Sequence, residues 1–443
     1  MAMEWSWQRI PGEYLVTGVR LIGGGKVSAR PGFLHVKKGR LEAIGEGRPT
    51  LAGLPELAAD GLFCAPGFVD THVHFREPGQ EEKETVATGS RAAAAGGFTA
   101  VVTMPNTDPA IDNAGMVRYV SDRGREAGLC RVLPAGAISV GRQGETMAEL
   151  GAMVEAGAVA FTDDGSPVQN GRLMASALQY ARLLGVPIMS HAEDLTIVAG
   201  GCMHGGYWSM RLGLSAMPRA GEDAAVFRDI ELARATGGHL HVAHVSTRGA
   251  VEIIRRAKAD GVRVTAEATP HHFSLDHGRC RDYSPLFKMN PPLRESEDVA
   301  AVADGLADGT LDCIATDHAP HTDTEKELQF DQAPFGVIGL ETAFAAGVTY
   351  LVRGGKLDLG RLVQCLTERP AAVLGLPLGK LEEGGDADFV LLDPEREWVV
   401  TRETLRSRSR NSSFLGETLK GRVLATFLRG RLTWHADDPS VVR

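Results

Sequence analysis

Two histidines one residue apart close the stretch VDTHVHF (Val69–Phe75), and Asp163, Asp164, His191, His244 and Asp317 stand at the ends of other apolar runs. Imidazole and carboxylate groups converging from several chain segments suit Zn²⁺ or a similar divalent metal. Any one of them alone is an ordinary hydrogen-bonded residue. Gathered at one place, several buried polar groups would each need compensation, and a metal supplies it. If VDTHVHFR is a strand, residues two apart share a face, so Asp70, His72, His74 and Arg76 are expected to point one way.

The elements that must bring these groups together are legible as eight apolar runs: FCAPGFVDTHVHF, FTAVVTMPN, CRVLPAGAIS, GAVAFTDDG, VPIMSHAED, HLHVAHVST, VRVTAEATPHH and LDCIATDHAPH. They alternate with Ala-rich helical stretches, and near-continuous apolar strands between helices imply a parallel sheet covered on both faces. Eight of them imply a closed (β/α)₈ barrel of the TIM type, whose active site is built at the C-terminal tips of its strands. One helix is readable in detail. After Pro218, GEDAAVFRDIELARATGG has acidic residues in its first turn, Val226 and Ile230 four apart, and a Gly-Gly stop after Thr236.

Short β-like runs precede the barrel (YLVTGVRLI, GFLHVKKG, RLEAIGEG) and follow it (ADFVLLDP, WVV, GRVLATFLRGRLTW). The expected organisation is a composite, β-sandwich-like domain from 1–64 and 382–443 and a metal-dependent barrel over 65–381. Strand phase then sorts the histidines of HLHVAHVST. Reading Leu240, Val242, His244 and Ser246 as the inward face leaves His239 and His241 against the surrounding helices. His271 and His272 end the seventh run, where adjacent residues cannot both point inward, and neither is assigned.

The 443 residues are 43% hydrophobic and 23% charged, an ordinary globular balance, and the formal net charge of -9 leaves no broad basic surface for nucleic acid. MAMEWSWQRI lacks the basic start and apolar run of an export signal, and AAAAGGFTAVVTMP is too short for a membrane span. The six cysteines are scattered, as in a reduced, cytoplasmic protein. Lysine placement bears on the metal site. Many two-metal barrels bridge their ions with a carbamylated lysine at the end of the fourth strand, yet no lysine occurs between Lys83 and Lys258. A carboxylate must take that place, and the pair Asp163–Asp164 offers one group to bridge and one to face away or cap the following turn.

The ordered set DTHVHFREPG, GGFTAVVTMPNT, FTDDGSPV, HVSTRGA, FKMNPPLR, ATDHAPH and APFGVIGLETA resembles the dihydroorotases of the amidohydrolase superfamily in their long bacterial form, over almost the whole chain. The resemblance implies that His72 and His74 hold one metal with Asp317, that His191 and His244 hold a second, and that Asp164 bridges the two. It implies one or two Zn²⁺ per subunit, two being expected. Asp317 would also be the catalytic acid/base. Arg76, Asn106, Asn290 and His321, with Pro334, Phe335 and Gly336 of the segment after the eighth run, fall on substrate-binding positions. The reaction implied is the reversible hydrolysis of the cyclic amide of dihydroorotate to N-carbamoyl-L-aspartate in pyrimidine biosynthesis. Arg76 suits the substrate carboxylate because its planar fork binds two oxygens at once. Asp70 reads as orienting a ligand histidine rather than binding metal itself. The polar segment HTDTEKELQFDQAPFGVIG, with Gly336 and Gly339 as hinges, is a candidate lid.

The rival readings are another cyclic amidohydrolase, of the hydantoinase or dihydropyrimidinase or the allantoinase type, and a non-catalytic dihydroorotase-like scaffold of aspartate transcarbamoylase. The first group usually carries the bridging lysine missing here, and the second loses metal ligands that are all present. A homodimer is expected from the resemblance, and association with aspartate transcarbamoylase is left open.

Overall fold

The computed structural model describes residues 11–437 apart from 50, 52 and 199. The decapeptide read above for export and the outer limits of the expected β domain lie outside the described residues. Two large sheets organise the chain. The first contains β1 (Glu13–Gly23), β2 (Lys26–Lys37), β3 (Arg40–Glu46), β4 (Glu56–Ala58) and β5 (Phe63–Pro66). The eight barrel strands follow: β6 (Phe68–Val73), β7 (Phe98–Thr103), β8 (Arg131–Gly136), β9 (Ala160–Phe161), β10 (Ile188–Ser190), β11 (Leu240–Val242), β12 (Val264–Ala268) and β13 (Cys313–Ile314). The chain then returns to the first sheet as β14 (Phe389–Val399), β15 (Thr418–Leu428) and β16 (Arg431–His435).

The terminal sheet has the order β16-β15-β14-β5-β1-β2-β3, with β4 also paired to β1. Both chain ends therefore build it. Its ladder branches at β1, which pairs with β4 along Leu15–Thr17 and with β5 along Arg20–Leu21. Its core is Tyr14, Val16, Leu34, Val36, Leu41, Phe389, Leu391 and Phe427, the Phe389 and Phe427 rings stacking at 4.3 Å. The expected boundary after residue 64 falls inside β5, whose ladder with β14 runs on to Pro66.

The barrel strands are parallel and in sequence order from β6 to β13. The ring closes between its first and last strands, where Val73 bridges His318 and the His74 N–H donates to the His318 carbonyl at 2.9 Å. Inside, Val69, Ala100, Val102, Ala135, Ala160 and Met189 fill the lower layers. Small alanines fit there because the interior of an eight-stranded barrel is filled by side chains. Outside, Phe68, Phe98, Ile188, Leu240, Val242 and Val264 meet the helices. Phe68 and Phe98 contact edge to face at 5.6 Å. The helix expected after Pro218 spans Ala220–Thr236 and stops at Gly237 in the left-handed conformation. Among the described residues, no helix is long and apolar enough to cross a membrane.

One strand departs from the expected phase. Leu240 and Val242 point outward into the helix layer, and His241 points into the barrel, fully buried, with its ring on Glu267 and Thr265. His244 still reaches the mouth because β11 ends at Val242 and His244 takes a positive φ of 34°, so two-residue alternation no longer applies. In β6, a register shift between Asp70 and Val73 likewise interrupts the simple alternation read for VDTHVHF.

Candidate active site

Six side chains converge at the C-terminal mouth, all of them buried: His72, His74, Asp164, His191, His244 and Asp317. Asp164 is at their centre. Its Oδ1 lies 3.3 Å from His72 Nε2, 3.5 Å from His191 Nδ1 and 3.8 Å from His244 Nε2, and its Oδ2 is 3.6 Å from His74 Nε2. Asp317 Oδ1 lies 3.0 Å from His74 Nε2 and 3.6 Å from His72 Nε2. The donors fall into two overlapping groups, His72/His74/Asp317 and His72/Asp164/His244, each compact enough to hold an ion. His72 Nε2 and Asp164 Oδ1 are buried without a hydrogen-bond partner. Such orphaned atoms are costly unless something else satisfies them, so the donor set fits a divalent metal.

The neighbouring carboxylate does a different job. Asp163 Oδ1 accepts the Ile138 and Ser139 N–H groups at 2.8 and 3.1 Å, tying the loop after β8 to the tip of β9. Of the two aspartates, only Asp164 faces the mouth. Three residues here, Arg76, His244 and Asp317, have positive φ angles of 60°, 34° and 46°. Backbone of this kind is uncommon for non-glycine residues and tends to persist where surrounding contacts over-determine it.

A layer of partners aims the histidine rings. Glu267 of β12, fully buried, has Oε1 2.9 Å from His72 Nδ1 and Oε2 2.9 Å from His241 Nε2. A carboxylate on Nδ1 fixes the tautomer that leaves Nε2 free for a metal. Asn106 Oδ1 does the same for His74 Nδ1 at 2.8 Å, while its Nδ2 lies 3.4 Å from Asp164 Oδ2. The Asn106 amide is thus turned toward two mouth residues. Asp70 accepts from the His72 and Thr316 N–H groups and the Thr316 hydroxyl, so it fixes backbone between β6 and β13 and touches no ligand ring.

Arg76 and His321 stand together on the rim beside this cluster. Arg76 is 8% exposed, donates from Nε to the Pro320 carbonyl at 3.2 Å, and has Nη2 3.4 Å from His321 Nε2. Among the described residues, no carboxylate lies within ion-pair distance of it. Burial draws its pKa down to about 10, so it stays charged at neutral pH. His321 donates from Nε2 to the Phe335 carbonyl at 2.8 Å, and burial beside Arg76 keeps its ring neutral. Gly336, at a φ of 130°, fits against Ala319, where an added Cβ would come within 2.8 Å of the Ala319 Cβ. A Cβ at Gly339 would meet the Thr316 carbonyl at 2.7 Å. Close packing explains both glycines that the sequence suggested as hinges. Pro334 offers its carbonyl to Lys326 Nζ at 2.8 Å. Asn290 donates toward His191 Nε2 at 3.3 Å and Glu193 Oε2 at 3.2 Å, with its Oδ1 unpartnered.

Sequence reasoning passed over Glu267, Glu193 and Arg142 and left His271 unassigned. An acid inside the apolar run VRVTAEA was the available signal for Glu267. Arg142 donates to the Asp164 carbonyl at 2.6 Å. His271 is 2% exposed with Nε2 unpartnered, and burial lowers its pKa to about 4. His272 instead bonds Thr269 and the Pro291 carbonyl.

A dihydro-orotase-like family model matches residues 61–250. The dihydroorotase of Pelobacter propionicus is 49% identical over 402 residues, covering 91% of this chain and 95% of that one. That of Pelotomaculum thermopropionicum is 52% identical over 381 residues, 86% of this chain and 89% of that one. The chain belongs to the dihydroorotase family. Solved structures agree on the architecture: an L-hydantoinase (dihydropyrimidinase) from Arthrobacter aurescens has a TM-score of 0.85 at 27% identity, covering 95% of this chain and 96% of that one. A dihydropyrimidinase from Brevibacillus agri, at 22% identity and a TM-score of 0.83, covers 95% of this chain and 94% of that one and shares the fold. Membership of the dihydroorotase family makes the chain a hydrolase.

Proposed function

We propose that this dihydroorotase-family hydrolase opens the ring of dihydroorotate to N-carbamoyl-L-aspartate, reversibly, with His72, His74, Asp317, His191, His244 and Asp164 holding two Zn²⁺ ions. The observation that carries the substrate assignment is Arg76: a buried, charged guanidinium beside the His/Asp cluster, with no carboxylate within ion-pair distance among the described residues. Dihydroorotate brings a carboxylate to it, and hydantoin and allantoin do not.

When bound, the metal pair supplies Lewis acidity, lowering the pKa of water toward about 7 and polarising the scissile carbonyl. The chain's own residues do the rest. Arg76 binds the substrate carboxylate and His321 turns its Nε2–H to it from the Phe335 carbonyl, with the Pro334–Gly336 turn closing that side of the pocket. Asn290, on the Met289–Pro292 segment, reads the ring edge, and Asn106 supports His74. As the water oxygen bonds to the ring carbonyl carbon, Asp317 accepts a water proton and returns it to the departing ring nitrogen when the C–N bond breaks. In this reading the enzyme works in the cytoplasm, as a homodimer.

The test is ring opening by the metal-loaded protein, read from ultraviolet absorbance with dihydroorotate, hydantoin and allantoin side by side, and with Asp317→Asn. The expected result is turnover of dihydroorotate alone, lowered at least about 10²-fold in the variant. Turnover of hydantoin in preference would move the assignment to the activity named for the structural neighbours. Inertness toward all three rings would leave a scaffold for aspartate transcarbamoylase as the better reading.

A further inference from the structure

The segment joining β14 to β15 leaves the terminal sheet and runs along the wall of the barrel mouth. Two carboxylates from the barrel hold it. Glu84, buried, accepts the Ser407 hydroxyl and the Arg408 N–H, the latter at 3.0 Å, and Glu341 accepts the Arg406 and Ser407 N–H groups at 2.7 and 2.9 Å. Next along this segment comes Asn411, 2% exposed. Its Nδ2 donates to the Ala319 carbonyl at 3.1 Å and the Gly336 carbonyl at 3.2 Å, its Oδ1 accepts the His321 N–H at 3.2 Å, and its own carbonyl accepts the Ile338 N–H at 3.2 Å.

Those partners are the two irregular segments that form the carboxylate pocket. Irregular backbone leaves donors and acceptors that no ladder satisfies. An asparagine amide, with two donors beside an acceptor, can meet a carbonyl from each segment and an N–H from one of them at once. The residues it grips, Ala319 and His321, flank Pro320, whose carbonyl anchors Arg76 Nε.

We propose that Asn411, supplied by the terminal β domain, is a positioning residue for the substrate carboxylate pocket. It sets the spacing between the loop after β13 and the Pro334–Gly336 turn, and through them aims His321 and Arg76. This rests on the reading of Arg76 and His321 as the carboxylate site. It makes the terminal domain part of the binding apparatus, because Asn411 adds to the ties the barrel makes itself, His321 Nε2–H to the Phe335 carbonyl at 2.8 Å and the Ala319 N–H to the Val337 carbonyl at 2.8 Å.

The experiment is steady-state kinetics on dihydroorotate with the full, metal-loaded chain carrying Asn411→Ala, Asn411→Asp, His321→Ala or Asn411→Ala with His321→Ala, alongside thermal melts. Asn411→Ala is expected to raise KM about tenfold, the effect of losing buried hydrogen bonds, with kcat changed less than about threefold. Asn411→Asp keeps the size and the acceptor but turns an oxygen toward two carbonyls, and KM is expected to rise at least as far. If the alanine variant fails to fold, the aspartate variant carries the same test. Because Asn411 acts in part through His321, adding Asn411→Ala to His321→Ala should raise KM by clearly less than the roughly tenfold expected of Asn411→Ala alone. Wild-type activity with KM unchanged in both single Asn411 variants, with KM effects that multiply, or with kcat lost at constant KM overturns the proposal. A wild type inert toward dihydroorotate overturns instead the reading of the reaction on which it stands.

Discussion

Replacing Glu267 by glutamine keeps the size of the side chain but removes its charge and one of its two acceptor atoms. Oε1 faces His72 Nδ1 at 2.9 Å and the His244 N–H at 3.3 Å, and Oε2 faces His241 Nε2 at 2.9 Å. A glutamine must turn its NH₂ toward one side. Facing His72, it makes Nδ1 an acceptor and moves the ring proton to Nε2, the nitrogen beside Asp164 and Asp317. Facing His241, it leaves a neutral carbonyl on His72, and a hydrogen bond to a charged group, about 1.5–3 kcal/mol, falls to about 1 kcal/mol. The second orientation therefore costs about 0.5–2 kcal/mol, a roughly 2- to 30-fold weaker metal site, and the first, which puts a proton on the metal-facing nitrogen, costs at least as much. The assay is competition with a chromogenic chelator on folded protein, with kcat/KM measured in parallel. A folded Glu267→Gln variant that holds Zn²⁺ as tightly as wild type would refute the argument that this carboxylate aims His72.

Three further outcomes are expected. Arg76→Lys keeps the charge but loses the planar fork, so KM for dihydroorotate should rise about tenfold or more with metal content unchanged; an unmoved KM would place the carboxylate elsewhere. Phe98→Ala empties a buried ring packed edge to face on Phe68 and should cost about 3–5 kcal/mol in denaturant titrations, with a loss under 1 kcal/mol contradicting the packing described. Glu341 is pushed from 4.5 up to about 7 by burial, against the backbone N–H groups of Ser407 and Arg406. Between those values the native state keeps a proton that the unfolded chain has released, so stability should fall as pH rises from 4.5 to 7. Allowing for the part of Glu341 that solvent reaches, the loss is about 2 kcal/mol. Glu341→Gln should flatten that slope, and an identical pH profile in the variant would sink the assignment.

Much of this was legible in the sequence because barrel strands are apolar runs that end in polar tips, so type and order gather His72, His74, the Asp163–Asp164 pair, His191, His244 and Asp317, and the resemblance chose Asp164 from the pair. Phase was less legible. In HLHVAHVST both faces are buried, so apolar residues could face either way, and Leu240 and Val242 went to the helices while His241 went inside. His244 was located correctly at the mouth for a reason alternation does not contain, the positive φ beyond the strand end. Asn106 was read from its position after a strand, but the direction of an amide depends on partners distant in sequence, here His74 and Asp164. Asn411 lay beyond such reading for the same reason, since each of its side-chain bonds spans 75 residues or more.

The closure of the barrel has a temporal side. Val73 and His318, the pair that seals the ring, bracket most of the barrel sequence, and the ladder from β5 to β14 spans the chain more widely still. Contacts of such long sequence separation must overcome loop-closure entropy and form late. His72 and His74 emerge early in synthesis and Asp317 late, so no chain shorter than 317 residues carries the complete donor set. Ring closure and the birth of the reactive centre are then one event, and a nascent or truncated chain is chemically silent until its last strand docks.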